Sequence, residues 1–156
     1  MPKWLALAAG VLALDQVTKY VVARAFALYE AVEVTPFFNL VLVYNRGAAF
    51  SFLSDAGGWQ RGLFIGIALS ASVWIGWLLR KHSDQTLFCL ALSLILGGAI
   101  GNVTDRVLVG AVVDFLDFHA FGYHWPAFNV ADTAISCGAV LLVWDALKAK
   151  GRAAAA

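Results

Sequence analysis

Apolar residues recur in four long stretches of the chain, and most polar residues lie between them. The stretches 63–79 and 85–104 contain no charged residue, and each approaches the roughly 20 residues that a membrane-spanning helix needs. The stretch 4–28 has only three charged interruptions, and the stretch 126–147 contains Asp132. The pattern predicts an all-α membrane protein, a bundle of four transmembrane helices.

The beginning of the chain also resembles a cleaved signal peptide. Lys3 precedes an apolar segment, and Ala-Arg-Ala at 23–25 resembles a small-residue cleavage site. Asp15 and Lys19, however, interrupt the segment where a signal peptide stays apolar. We therefore expect the first segment to be retained as a helix.

Two connections, 29–62 and 105–125, join the spans on one side. The first contains two short β-patterned runs, 32–34 and 40–44, that predict strands. It also contains aromatic residues typical of a membrane interface. These are Phe50, Phe52 and Trp59.

Composition and charge support a membrane protein and set its orientation. The chain is 62% hydrophobic and 13% charged, and its net charge of +1 gives no basic footprint for nucleic acid. Cytoplasmic loops are enriched in Lys and Arg, so both termini are expected in the cytoplasm. The basic residues then on the cytoplasmic side are Lys3, Arg80, Lys81, Lys148, Lys150 and Arg152. We expect one membrane-embedded domain, residues 1–156.

The two cysteines give no sign of a metal site or a disulfide. Cys89 and Cys137 lie far apart in apolar runs, and no histidine has ligand-like spacing to them. Both are interpreted as small buried hydrophobic residues. We expect no metal and no cofactor.

Asp132 is the strongest candidate for chemistry, because an ionisable residue inside a span is costly. Counted from Pro126, it lies about six residues into the fourth helix, roughly 9 Å below the helix end. Asn129, three residues earlier, shares its helical face. The alternative is a buried carboxylate held in a structural ion pair.

Asp114 lies in an apolar run of the second connection, Val-Val-Asp-Phe at 112–115. If that run packs onto the bundle, Asp114 can approach Asp132, and one of two adjacent carboxyls then keeps a proton. One base that activates water and one acid that polarises a carbonyl form the aspartic-protease arrangement. Asp117 is either an alternative partner or a solvated loop carboxylate.

Two further clusters of polar residues lie on helices. Asn102, Asp105 and Arg106 are adjacent at the end of the third span, where an internal ion pair would fix the loop that carries Asp114. Asp15 and Lys19 are four residues apart on the first span. They are either a self-neutralising pair or part of a substrate site.

The competing functional class is a small transporter or a proton-relay protein, in which intramembrane carboxylates carry ions. That class favours charges at mid-membrane depth and an internal repeat. Here the polar residues are concentrated at one end and no repeat is evident. A purely structural membrane subunit would leave the Asn and Asp clusters unexplained.

Five sequence blocks, in order, resemble those of the bacterial lipoprotein signal peptidases (signal peptidase II), a family of membrane aspartic proteases. They are LDQVTK at 14–19, NRGAAF at 45–50, GGAIGNVTDR at 97–106, VVDF at 112–115 and FNVAD at 128–132. The resemblance implies a catalytic dyad of Asp114 and Asp132. It further implies substrate-binding or orienting roles for other matched residues, with Asp105 as structural support. These are Asp15, Lys19, Asn45, Gly47, Asn102, Arg106 and Asn129.

The resemblance also implies a substrate and a setting. Members of the family cleave diacylglyceryl-modified prolipoproteins just before the lipidated cysteine. The first outer connection would form a small β-cradle, and the active site would lie near the periplasmic face, in contact with membrane lipids. We expect a monomer.

Overall fold

The computed structural model describes residues 1–47 and 57–154. It contains four helices: α1 (Pro2–Ala25), α2 (Trp59–Lys81), α3 (Thr86–Leu108) and α4 (Val130–Ala154). All four are long and apolar enough to cross a membrane, over Val130–Lys148 in the case of α4. The predicted bundle of four transmembrane helices is confirmed.

Helix α3 is the centre of the bundle. More than half of its apolar segment is buried, whereas the other three helices bury less than a quarter of theirs. Glycines make this close packing possible. A Cβ atom at Gly97 would lie 2.5 Å from the carbonyl oxygen of Ala8 in α1, and one at Gly98 would overlap the carbonyl oxygen of Ala131 in α4. Helix α3 therefore holds α1 and α4 against its two sides.

Within the described residues, four antiparallel strands form a small sheet in the order β1-β2-β3-β4. The strands are β1 (Ala31–Thr35), β2 (Phe38–Asn45), β3 (Val112–Ala120) and β4 (Tyr123–His124). The first two confirm the strands predicted in the first connection. The other two were not predicted, because polar residues interrupt the apolar pattern of β3, whose pairing partner β2 comes from the distant first connection.

The sheet packs on the end of α1. Leu42, Val113 and Phe115 form a buried apolar cluster with Val22 of α1. Because side chains alternate between the two faces of a strand, Asp114 points away from the cluster formed by its two neighbours. This packing directs Asp114 toward the other polar groups of the bundle.

The predicted start of the fourth helix is wrong. Helix α4 begins at Val130 rather than at Pro126, so Asp132 lies in its first turn and not about six residues into it. Phe128 and Leu116 exchange backbone hydrogen bonds of 2.8 and 3.1 Å, and this pairing with β3 keeps the chain extended. The helix can begin only after that pairing ends.

The predicted end of the third span is also too early. Helix α3 continues to Leu108, so Asp105 and Arg106 are helical residues and not part of the connection. Val107 and Leu108, which follow this charged pair, continue the apolar pattern and the helix.

The structure can be compared with the predictions made for the interfacial aromatic residues and for the two cysteines. Trp59 is the first residue of α2 and is exposed, whereas Phe50 and Phe52 lie outside the described residues. Cys89 is buried as predicted, but the prediction is wrong for Cys137, which is exposed. The next residue of α4, Gly138, faces α3, and one step along a helix turns Cys137 away from that contact.

Candidate active site

Asp114 of β3 is a buried carboxyl group with an amide donor on each oxygen. Asn129 Nδ2 donates to Oδ1 at 2.7 Å, and Asn45 Nδ2 donates to Oδ2 at 3.1 Å. The side chain is only 2% exposed. Two strands and the start of α4 thus hold this carboxyl in one orientation.

Asp132 is held by α3 and by its own helix. Asn102 Nδ2 donates to Asp132 Oδ1 at 2.8 Å. The backbone N–H of Asp132 donates to Asn129 Oδ1 at 2.9 Å, which makes Asn129 the N-cap of α4. The amide of Asn129 therefore caps the helix through its oxygen and contacts Asp114 through its nitrogen.

The two carboxyls line one cavity, and the charge of Asp132 affects the protonation of Asp114. Burial, together with the negative charge of Asp132, raises the pKa of Asp114 from its ordinary value of 3.8 to about 7. Hydrogen bonds from Asn45 and Asn129 act in the opposite direction and only partly offset the rise. Asp114 is therefore able to hold a proton near neutral pH.

Lys19 of α1 lies at the centre of a buried charge cluster behind the two carboxyls. Its Nζ is 2.9 Å from Asp15 Oδ2 and 2.8 Å from Asp105 Oδ2, and it donates to Asn102 Oδ1 at 2.9 Å. The last contact fixes the amide of Asn102, because the nitrogen must then face Asp132. Lys19 is 3% exposed and Asp15 is fully buried, so this cluster is internal support and not a surface for substrate.

Asp15 and Asp105 also accept hydrogen bonds from the backbone next to the two carboxyls of the site. Asp15 Oδ1 accepts a hydrogen bond of 2.8 Å from the N–H of Ala131, and Asp105 Oδ2 accepts one of 3.1 Å from the N–H of Val113. The expected internal ion pair exists, but the cation is Lys19 of α1 and not Arg106. It fixes the segment that carries Asp114, as expected.

Gln16 is a member of this cluster that sequence reasoning missed. Its Nε2 lies 2.9 Å from Asp105 Oδ1, 3.1 Å from Asp15 Oδ2 and 3.2 Å from the carbonyl oxygen of Gly101. It therefore connects α1 to α3. Its only sequence signal is its place beside Asp15, in the first of the five blocks.

Arg106 joins the end of α3 to the first connection. Its Nη2 donates to the carbonyl oxygen of Gly47 at 2.9 Å, and its Nη1 donates to that of Asn102 at 3.3 Å. The N–H of Gly47 in turn donates to Asn45 Oδ1 at 2.9 Å, which orients the Asn45 amide toward Asp114. The rest of the second sequence block, residues 48–50, lies outside the described residues.

Asp117 does not belong to this site, and its interpretation as a solvated loop carboxylate is wrong. It lies in β3 and is mostly buried, with Asn39 Nδ2 at 2.9 Å and His124 Nδ1 at 2.9 Å. Burial alone would raise the pKa of Asp117, but these two hydrogen bonds lower it below its ordinary value. It lies three positions after Asp114, so strand alternation favours opposite faces for the two carboxylates.

Two cavities meet at Asp114. The smaller, about 510 Å³, contains both carboxyls and continues along α4 past Ile135 and Cys137. The larger, about 1020 Å³, lies toward the connections and contains Arg46 and Arg61. Four residues line both cavities: Asn45, Asp114, Pro126 and Ala127. An extended chain could therefore pass Asp114 from one cavity into the other.

No group of three or more His, Cys, Asp or Glu side chains suited to a metal ion occurs within residues 1–47 and 57–154. All the predicted site residues instead form one connected network. It joins Asp114 and Asp132 through Asn45, Asn102 and Asn129 to the internal Lys19 cluster. Such a site offers proton transfer from carboxyl groups as its chemistry.

Comparison with known proteins identifies the family. The family model described as "Signal peptidase (SPase) II" matches residues 7–148. The lipoprotein signal peptidase of Ralstonia nicotianae is 61% identical over 145 residues, which cover 93% of this chain and 84% of that protein. That of Janthinobacterium sp. (strain Marseille) is 57% identical over 152 residues, which cover 97% of this chain and 92% of that protein.

Solved structures agree with these sequence relatives. Two structures described as bacterial membrane enzymes match with TM-scores of 0.88 and 0.83, at 34% and 35% sequence identity. The first match covers 97% of this chain and 92% of the solved one, and the second covers 95% and 94%. The matches extend over nearly the whole chain, which therefore belongs to the signal peptidase II family and is an aspartic-type peptidase, a hydrolase, of the bacterial inner membrane.

Proposed function

We propose that this peptidase removes the signal peptide from diacylglyceryl-modified prolipoproteins by cleaving before the lipidated cysteine. The relatives that cover most of this chain carry the name lipoprotein signal peptidase. The observation that carries the proposal for this chain is the pair of carboxyls, Asp114 and Asp132, in one cavity between the sheet and α4.

The two carboxyls have different surroundings and therefore different proposed roles. Asp114 keeps a proton near neutral pH, because burial and the charge of Asp132 raise its pKa. Asp132 accepts a charge-stabilising hydrogen bond from Asn102 and lies at the N-terminus of α4, where a helix favours negative charge. Asp132 is then the base and Asp114 the acid.

The reaction proceeds through attack by water on the carbonyl carbon of the peptide bond. Asp132 takes one proton from the water, and Asp114 donates its proton to the carbonyl oxygen. The resulting tetrahedral intermediate collapses when a proton passes from Asp132 to the leaving nitrogen and the C–N bond breaks. The hydroxyl formed on the carbonyl carbon returns its proton to Asp114, so both carboxyls regain their starting states.

The remaining network residues orient the dyad. Asn45 and Asn129 fix the two oxygens of Asp114, and Asn102 fixes Asp132. Asp15, Lys19 and Asp105 act through these amides and through the backbone. Arg106 holds Gly47, the residue that positions Asn45.

We further propose that both termini face the cytoplasm and that the dyad lies near the periplasmic face. The indole N–H of Trp4 donates to the carbonyl oxygen of Ser83 at 3.2 Å, so the N-terminus and the α2–α3 connection share one end of the bundle. Lys3, Arg80 and Lys81 belong to that end, as the positive-inside rule requires of a cytoplasmic side. We also propose that the enzyme is a monomer with a single peptidase domain, because the described residues of one chain connect both carboxyls and their supporting groups without a gap.

A cleavage assay on the purified protein in detergent tests the function. The substrates are one prolipoprotein with and without its diacylglyceryl group, and mass spectrometry of the products gives the cleaved bond. The proposal predicts cleavage of the lipidated form alone, between the cysteine and the residue before it. Equal cleavage of both forms, or cleavage at another bond, would contradict it.

A further inference from the structure

The larger cavity beside the dyad is positively charged. Arg46 and Arg61 both line it, and Asp114 is the only acidic side chain among its described lining residues. Its volume of about 1020 Å³ is at the upper end of the range for ligand sites. A cavity of this size and charge favours an extended ligand that carries negative charge.

The two guanidinium groups differ from the other cations near the site. Lys19 is neutralised by two carboxylates, and Arg106 donates a hydrogen bond to the carbonyl oxygen of Gly47. Arg46 and Arg61 are exposed to the cavity, and no carboxylate of the described residues lies within ion-pair distance of either. Arg61 donates from Nη2 to the carbonyl oxygen of Val107 at 3.2 Å, which positions its guanidinium at the cavity wall.

The positions of the two cavities determine which part of a substrate each can hold. The smaller cavity continues along α4, within an apolar span, and suits the signal peptide. The larger one lies against the ends of the helices, at Gly58 and Val109, and suits a polar chain outside the bilayer. The shared residue Asp114 then marks the point where the cleaved bond lies.

We propose that the larger cavity binds the polypeptide that follows the cleaved bond, and that Arg46 and Arg61 make it prefer acidic side chains there. The preferred residues are the first few after the lipidated cysteine. This inference rests on the proposed function and gives a reason why the enzyme cleaves some prolipoproteins faster than others. Because the cavity is continuous with the dyad, we assign it to the peptide and not to the phosphate of a lipid headgroup.

The test uses lipidated prolipoprotein peptides that differ only in the residues after the cysteine. One series carries acidic residues, one neutral and one basic. For the wild-type protein in neutral detergent, we expect kcat/KM to be about tenfold higher for acidic than for basic substrates. The expected preference is no larger than this because a partly exposed ion pair adds only a small binding free energy. The ratio should shrink as the salt concentration rises, because salt screens exposed charges.

Substitution of the two arginines tests the assignment. In the double variant Arg46→Gln/Arg61→Gln, we expect the ratio of kcat/KM for acidic to basic substrates to fall to about one, because the two positive charges that attract acidic side chains have been removed. Arg24→Gln is the matched control, since Arg24 is exposed at the end of α1 and does not line the cavity. Its ratio should equal that of the wild type.

The outcomes separate this inference from the proposed function. A ratio near one in the wild type, with lipid-dependent cleavage intact, would overturn the inference alone. Failure of the folded protein to cleave any lipidated peptide would overturn both. If activity follows the content of anionic lipid and not the charge of the peptide, the cavity is a headgroup site and the inference is wrong.

Discussion

At the scale of single residues, the proton on Asp114 is the feature that determines how the proposed dyad works. Its pKa is about 7, against an ordinary value of 3.8, so the folded protein holds a proton that the unfolded chain has lost at neutral pH. The stabilising effect of that proton is complete at low pH and is lost as pH rises through about 7. That loss begins at about pH 4, where the unfolded chain starts to ionise, whereas the protonated acid that the mechanism requires is lost only at about pH 7.

We therefore expect kcat/KM for a neutral lipidated peptide to fall as pH rises through about 7. Thermal unfolding supplies the control. Wild-type stability should decline between about pH 4 and 7 and level off at higher pH, and the decline should be smaller in Asp114→Asn, which has no ionisable group at this position. A kcat/KM that stays constant between about pH 6 and 8 would contradict the assignment of Asp114 as the acid.

Asn129 allows capping to be separated from catalysis. Asn129→Asp keeps an oxygen for the N–H of Asp132 but replaces the donor to Asp114 with an acceptor. We expect at least about a tenfold lower kcat, because a hydrogen bond to a charged or polarised group contributes about 1.5–3 kcal/mol.

Asn129→Ala is the matched variant, because it loses the cap as well. It should reduce kcat similarly and also lower stability by about 1 kcal/mol relative to Asn129→Asp, measured by thermal unfolding. Wild-type kcat in Asn129→Asp would show that the contact with Asp114 is not needed.

The sequence predicted many of these residues but not their partners. The three-residue spacing indicated that Asn129 lies near Asp132, although the contact is a helix cap and not a shared helical face. The cost of intramembrane charge indicated Asp15 and Lys19. Lys19 of α1 contacts Asp105 of α3, which lies 86 positions later in the chain, and residue spacing within one helix cannot predict such a contact. Gln16 has the same difficulty, since its contacts with Gly101 and Asp105 become visible only when α1 and α3 are packed together.

At the scale of elements, the close contact of α3 with α4 positions the dyad. Gly98 faces the carbonyl of Ala131, the residue before Asp132, and a side chain there would push α4 away. We expect Gly98→Ala to destabilise the protein by about 2 kcal/mol, which lowers the melting temperature of a chain of this length by roughly 4–8 °C, and to reduce kcat at least about tenfold.

Gly66 of α2 provides the control for this substitution. Nothing lies within 4 Å of a Cβ built there, so Gly66→Ala should leave kcat unchanged and should not lower stability. Equal effects of the two substitutions would show that the α3–α4 contact does not position Asp132.

Helix positions could be predicted from apolar periodicity, whereas the boundaries at the site could not. The start of α4 depends on pairing between Phe128 and β3, and the sequence of α4 alone gives Pro126 as a reasonable first turn. Likewise, β3 needs β2 as its partner, and the two are separated by α2 and α3. Both features are consequences of tertiary contact, which overrides local preference.

At the scale of the whole molecule, the bundle has a basic end and a catalytic end. Our orientation places Lys81 in the cytoplasm and the β3–β4 hairpin in the periplasm. Starting from Cys137→Ser, which removes the exposed thiol, the variants Lys81→Cys and Tyr123→Cys test this. In intact spheroplasts a membrane-impermeant maleimide should label the cysteine at 123 and label the one at 81 only after lysis. The reverse pattern would contradict the orientation.

The most direct test of the account is cleavage of a lipidated prolipoprotein by Asp114→Asn and Asp132→Asn, with thermal unfolding to verify that each variant is folded. The account predicts loss of cleavage in both, because one carboxyl cannot serve as base and acid together. Arg24→Gln, at an exposed position that lines neither cavity, serves as the control that should retain cleavage. Wild-type cleavage by either folded dyad variant would contradict the assignment of the active site.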